Sequence, residues 1–172
     1  TNIFYDTQQL IDAAHLLAQA PLSGSNYSYD LTDITRQAIT DYAYHLLQAI
    51  KEAHDNHEEE TFAKRRDSFL QLILDLDKLL STNSNFMLGR WTQLARGIAD
   101  EVPSTTEADR SWLEHDNART IITTWGAKNQ ANYAGLRDYS YSQWAGMLKD
   151  YYYPRWATFF TDITATNDWY EM

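Results

Sequence analysis

Over most of its length the chain repeats apolar residues every three or four positions, the period of a helix with one buried side. From about Leu31 to His54 the set is Ile34, Ala38, Tyr42, Leu46, Ala49 and Ala53, with Asp30 or Thr32 placed to cap the start. From about Glu58 to Leu80 it is Phe62, Phe69, Ile73, Leu76 and Leu80, and the acidic first turn suits the helix dipole. A shorter helix from about Asp6 to Gln19 ends before the breaker cluster Pro21-Leu22-Ser23-Gly24-Ser25. After the polar turn Ser81-Thr82-Asn83-Ser84-Asn85, a fourth helix from about Phe86 to Asp100 carries Trp91, Leu94 and Ile98. Pro103 stops the chain, and Ser104 with Glu107 forms a capping-box pattern for a fifth helix reaching about Thr123.

Trp125 to Asp138 is the longest stretch without helical period and holds Gly126 and Gly135. A sixth helical region begins near Tyr139. Pro154 should split or kink it after Tyr153, because proline has no N–H to donate to the preceding turn. No strand pattern competes and no internal repeat is visible. The expectation is an all-α fold, a helical bundle of about five to seven helices in a single domain over residues 1–172.

Composition narrows the function. At 44% apolar and 14% aromatic, 172 residues can bury a core, so disorder is not expected. A net charge of −10 argues against nucleic acid as a partner, because phosphate binding needs a basic face and no Lys/Arg cluster supplies one, and it argues against docking on an anionic membrane surface. Lys64-Arg65-Arg66 follows Glu58-Glu59-Glu60 and precedes Asp67, which reads as a solvated helix face. No apolar run approaches the ~18 residues that span a bilayer. With no cysteine, there is no disulfide, thiol nucleophile or cysteine metal site. The chain opens on Thr1-Asn2-Ile3-Phe4-Tyr5, without initiator Met or signal pattern, and reads as a piece of something longer.

Candidate chemistry is thin. His54 and His57 share a helix face next to three glutamates, but no closed ligand set surrounds them, so a solvated, frayed junction is the expectation and no metal is. His15, His45 and His115 stand alone. There is no nucleophile elbow and no glycine-rich phosphate loop, and no cofactor is expected. Glycosidase chemistry needs two positioned carboxylates, and nothing in the spacing of the 24 acidic residues selects a pair. Arg119 to Trp156 is the informative stretch. It carries Trp125, Tyr133, Tyr139, Tyr141, Trp144, Tyr151, Tyr152, Tyr153 and Trp156 beside the irregular loop. Trp144, Tyr151, Tyr152 and Trp156 have helical spacing and are expected in the core. Trp125 and Tyr139 flank the loop, where a cleft role and a packing role weigh equally. Arg119 and Arg155 suit structural hydrogen-bond forks.

Four segments in order resemble the α-N-acetylglucosaminidases of glycoside hydrolase family 89. Tyr29-Asp30-Leu31-Thr32-Asp33-Ile34-Thr35-Arg36-Gln37 is similar to the family's Tyr-Asp-Leu-x-Asp-Leu-Thr-Arg-Gln, and Phe86-Met87-Leu88-Gly89-Arg90-Trp91 to its Phe-x-Leu-Gly-x-Trp. Asn117-Ala118-Arg119 with Thr124-Trp125-Gly126 resembles Asn-x-Arg…Trp-Gly. Asp138-Tyr139, Trp144-Ala145-Gly146-Met147 and Tyr151-Tyr152-Tyr153-Pro154-Arg155-Trp156 resemble Asp-Tyr…x-Ala-Gly-Leu…Tyr-Tyr-x-Pro-Arg-Trp. Between Trp125 and Asp138 the chain departs from the family pattern: it is longer, and it lacks a Gly-Pro-Glu-Gly-like turn.

The resemblance implies a C-terminal all-α domain of a retaining exo-acting enzyme, whose two catalytic glutamates lie in a TIM-like barrel of the same polypeptide. By that likeness, no catalytic residue is in this chain, the fragment alone is inactive, and its partners are the barrel and a glycan ending in α-linked N-acetylglucosamine. Trp125, Leu136 and Tyr139 carry over as the wall around that sugar, Leu136 depending on where the extra residues fall. Secretion, periplasm or lysosome would follow by analogy; the sequon Asn26-Tyr27-Ser28 does not choose among them. The alternative is a non-catalytic helical carbohydrate-binding or protein-interaction module. A helical scaffold that buries a face of its neighbour is compatible with the first reading.

Overall fold

The computed structural model describes residues 3–118, 143–166 and Trp169. Six α-helices run through them: α1 (Thr7–Gln19), α2 (Ser25–Asp55), α3 (Glu59–Leu80), α4 (Leu88–Asp100), α5 (Glu107–Trp112) and α6 (Tyr153–Thr166). Two π-helical stretches join them, Leu113–Ala118 after α5 and Leu148–Tyr152 before α6. No strand occurs among the described residues, and the expected all-α bundle is what the chain forms. It divides into two compact units, Thr1–Asn85 with Ala145–Met172, and Phe86–Trp144.

In the first unit α1 begins where Asp6 accepts the Gln8 N–H at 2.9 Å, an N-cap that satisfies one orphan amide of the first turn. α2 starts at Ser25 after Gly24, earlier than expected, and Asp30 and Thr32 lie inside it rather than capping it. The cause is tertiary. The Tyr27 hydroxyl donates to the Leu17 carbonyl at 3.0 Å, which ties the first turn of α2 to α1. Thr32, buried within the helix, turns its hydroxyl back onto the Ser28 carbonyl at 2.8 Å. Because α2 packs on α1 along one part and on α3 along another, its buried positions shift along its length. Ala38, Ile50 and Ala53 are buried, while Tyr42, expected on the apolar face, is 51% exposed.

The turn between α2 and α3 is closed rather than frayed. His57 donates its N–H to the His54 carbonyl at 2.9 Å, and Glu58 donates to the Ala53 carbonyl at 2.8 Å, the paired bonds of a Schellman stop. This puts His57 at φ 58°, the left-handed region that glycine usually fills. All five apolar residues expected on α3 are buried. Phe62 and Phe69 meet α6 in an aromatic cluster in which Phe69 lies 5.1 Å from Trp156 and 5.8 Å from Phe160, ring centre to ring centre. Near Pro154, where a split or kink was expected, the helical run changes from π to α at Tyr153 without a break.

In the second unit, Phe86 is buried ahead of α4. The capping box of α5 forms two residues later than expected. Thr106, not Ser104, accepts from the Asp109 N–H, and Asp109 accepts from the Thr106 N–H at 2.8 Å. The 107–118 helix is tied to α4 by charge: Arg96 donates to Glu107 at 2.8 Å and to Glu114 at 3.2 Å. The apolar side of α4 points outward, with Trp91, Leu94 and Ile98 at 42, 61 and 65% exposure.

Candidate functional site

Trp125, Leu136 and Tyr139, the residues singled out by sequence, lie outside the described residues, as do Arg119, Tyr133 and Tyr141. What can be built from the residues upward is the framework on either side of them. On the entering side, the π stretch Leu113–Ala118 continues α5, and Arg96, bridging Glu107 and Glu114, holds both to α4. On the returning side, within the first unit, one carboxylate organises the chain. Asp77 of α3 accepts the Gly146 N–H at 2.7 Å and the Lys149 N–H at 3.1 Å with the same oxygen. These are free amides at the start of a helical run, so the carboxylate also meets the positive end of the helix dipole. Gly146 has φ 91°, a conformation other residues resist, which lets the chain turn into this run. Ala145, Met147 and Leu148 are buried beside it. Sequence reading missed Asp77. Its partners are 69 and 72 residues away, and no local pattern marks an acidic residue that serves distant backbone amides.

The aromatics of this region divide. Tyr152 is buried as expected, Trp144 and Trp156 are half-buried, and Tyr151 is 36% exposed. Trp144 tilts against Trp91 within the second unit, with ring centres 6.1 Å apart. The first family-like segment, Tyr29 to Gln37, serves structure. Arg36 pairs with Asp33 at 2.7 Å, and Gln37 donates to the buried Asp41 at 2.8 Å. Tyr5 donates its hydroxyl to the other Asp41 oxygen, which fastens the start of the chain onto α2 and raises the Tyr5 pKa.

Among the described residues, clefts of the first unit include two of similar size. One of about 300 Å³ lies at the α2–α3 turn, between His54, His57, Phe62, Arg66 and Ile163. The His54 ring packs near Phe62 and Trp169, and its Nε2 is buried without a hydrogen-bond partner among the described residues. The other, about 320 Å³ and mostly apolar, runs between α1 and α2 past His15 and Tyr42.

Two surface carboxylates, Asp55 and Asp109, are held in the charged form by their hydrogen bonds. The side-chain hydrogen bond from Lys51 lowers the Asp55 pKa, and that from Thr106 lowers the Asp109 pKa. A general acid in glycoside hydrolysis needs the opposite, a carboxyl held neutral. Among the described residues no three His, Asp or Glu gather to hold a metal ion. No helix among them is long and apolar enough to cross a membrane.

Comparison with known proteins sharpens this. Residues 1–169 match the family model for the alpha-N-acetylglucosaminidase C-terminal domain. Human alpha-N-acetylglucosaminidase is 30% identical over 152 residues, which cover 86% of this chain and 19% of the human protein. A family 89 glycoside hydrolase from Clostridium perfringens, in complex with 2-acetamido-1,2-dideoxynojirmycin, superposes with a TM-score of 0.84 at 30% identity. That match covers 95% of this chain and 18% of the bacterial one. The bacterial enzyme, with two glutamates replaced by glutamine, has also been solved with its substrate GlcNAc-α-1,4-galactose, again at a TM-score of 0.84. The chain thus spans about a fifth of the length of the relatives it matches. With residues 1–169 matched by one family model and 95% of the chain covered by the family 89 structure, the chain belongs to the alpha-N-acetylglucosaminidase C-terminal domain family of glycoside hydrolase family 89.

Proposed function

We propose that residues 1–172 act as one C-terminal domain of a longer retaining exo-α-N-acetylglucosaminidase and form one wall of its active-site cleft. The observation that carries this reading is the family match over residues 1–169, joined to a structural neighbour solved with a GlcNAc-α-linked substrate. In this reading Trp125, Leu136 and Tyr139 face the terminal N-acetylglucosamine. An indole or phenol face covers the C–H surface of a sugar while its polar tip reaches a hydroxyl, and the apolar wall excludes water from the reacting centre.

The reacting carboxylates belong to a barrel domain of the same polypeptide. One attacks the anomeric carbon, and the other first protonates the leaving oxygen and then activates the water that releases the sugar. The two glutamates replaced in the substrate complex of the bacterial relative support a pair of acids in that role. The substrates are glycans ending in α-linked N-acetylglucosamine, such as heparan-type chains or mucin-like oligosaccharides. A secreted, periplasmic or lysosomal setting fits such substrates.

The test is an assay on an aryl α-N-acetylglucosaminide. The full-length enzyme should hydrolyse it with first release of the α-anomer, and the isolated chain should not. A full-length protein without activity contradicts the reading.

A further inference from the structure

Met87, Trp91, Leu94, Ile98 and Val102 are spaced four, three, four and four residues apart, the helical spacing that places them on one line along α4 and its two ends. Their exposures are 41, 42, 61, 65 and 50%, and Trp112 of α5, in the same unit, is 56% exposed. At 1.5 Å per residue the stripe is roughly 22 Å long. α4 is therefore turned opposite to a usual surface helix. It presents Arg96 and the buried Ala99 to its own unit and its large apolar residues to the outside. A continuous line of this kind marks an interface, whereas scattered exposed apolar residues do not.

We propose that this stripe is the surface on which the remainder of the parent polypeptide docks. The inference rests on the reading of the chain as one domain of a longer enzyme. The relatives extend this fold by about four-fifths of their length, since the chain covers 18–19% of them. A covalently joined neighbour covers such a face at an effective concentration in the millimolar range, without requiring high affinity. A lipid surface is a poor occupant, because the chain carries a net charge of −10 and anionic headgroups repel it.

Hydroxyl-radical labelling of the full-length enzyme, read by mass spectrometry, tests this. Leu94 and Ile98 should lose their labelling in the native protein and regain it in denaturant. Labelling in the native protein at the level of the denatured one overturns the proposal. So does protection that disappears on dilution as an oligomer separates, since a second copy would then be the occupant. Activity of the same preparation on the aryl glycoside separates the two ideas. An active enzyme with a labelled stripe removes the docking surface alone, and an inactive enzyme with a protected stripe removes the proposed function alone. In a second variant, Leu94→Lys with Ile98→Lys should lower the Tm of the full-length protein. An unchanged Tm overturns the proposal.

Discussion

In the unit built from α1, α2, α3 and α6, Phe160, Ile50, Leu80 and Ile163 are sealed from solvent, and aromatic rings meet edge to face across the α3–α6 contact. In the unit built from α4 and α5, the only buried apolar side chains among the described residues are Phe86 and Ala99. That second unit relies on Arg96 bridging two glutamates and on the Thr106–Asp109 capping box, both at the surface. Exposed ion pairs stabilise by about 0–1 kcal/mol each and a cap by about 1 kcal/mol, whereas one buried aromatic contributes several times that. The first unit carries its own core. Among its described residues the second has apolar surface to spare and little of it buried.

The largest effect should come from the core. Phe160→Ala should destabilise the chain by about 3–5 kcal/mol in denaturant unfolding, while Leu94→Ala in the same chain should change it by less than about 0.5 kcal/mol. Equal costs would abolish the contrast between the units.

Next comes the cap. Thr106→Ala should cost about 1 kcal/mol. It should also alter the acid limb of stability. Asp109 titrates below its ordinary value because of the Thr106 hydrogen bonds, so its folded pKa lies under the unfolded one. Its contribution is complete above the unfolded value of about 3.9 and disappears as pH falls through the folded pKa. The variant should therefore lose less stability than the parent chain between about pH 4 and pH 2. Identical acid limbs would remove the capping box as a stabilising feature of the second unit.

The smallest effect has the opposite sign. A Cβ at Gly97, inside α4, would meet nothing within 4 Å, so Gly97→Ala should stabilise the chain by about 0.5–1 kcal/mol. A loss of stability would mean that this part of α4 is crowded.

Where local pattern decides structure, the sequence was readable. The five apolar residues of α3 and the Asp6 start of α1 were legible because a single packed side and a single cap determine them. The start of α2 was not, because Tyr27 reaches α1 and carries the helix back past Asp30. The outward turn of α4 was also hidden. Trp91, Leu94 and Ile98 give the helical period whichever way the helix faces, and only tertiary structure shows that the stripe points to solvent. Asp77 was illegible for a related reason: a carboxylate on a polar helix face looks solvated until the distant amides it holds are known. The candidate sugar wall, Trp125, Leu136 and Tyr139, came from family likeness rather than from period or charge, and those residues lie outside the described residues.

The most direct measurement is kcat/KM of the full-length enzyme carrying Trp125→Ala, on an aryl α-N-acetylglucosaminide. If the indole covers the sugar in the transition state, kcat/KM should fall by the equivalent of about 1–3 kcal/mol, with the Tm of the protein little changed. A kcat/KM equal to that of the unaltered enzyme would contradict the claim that this helical domain forms a wall of the active site.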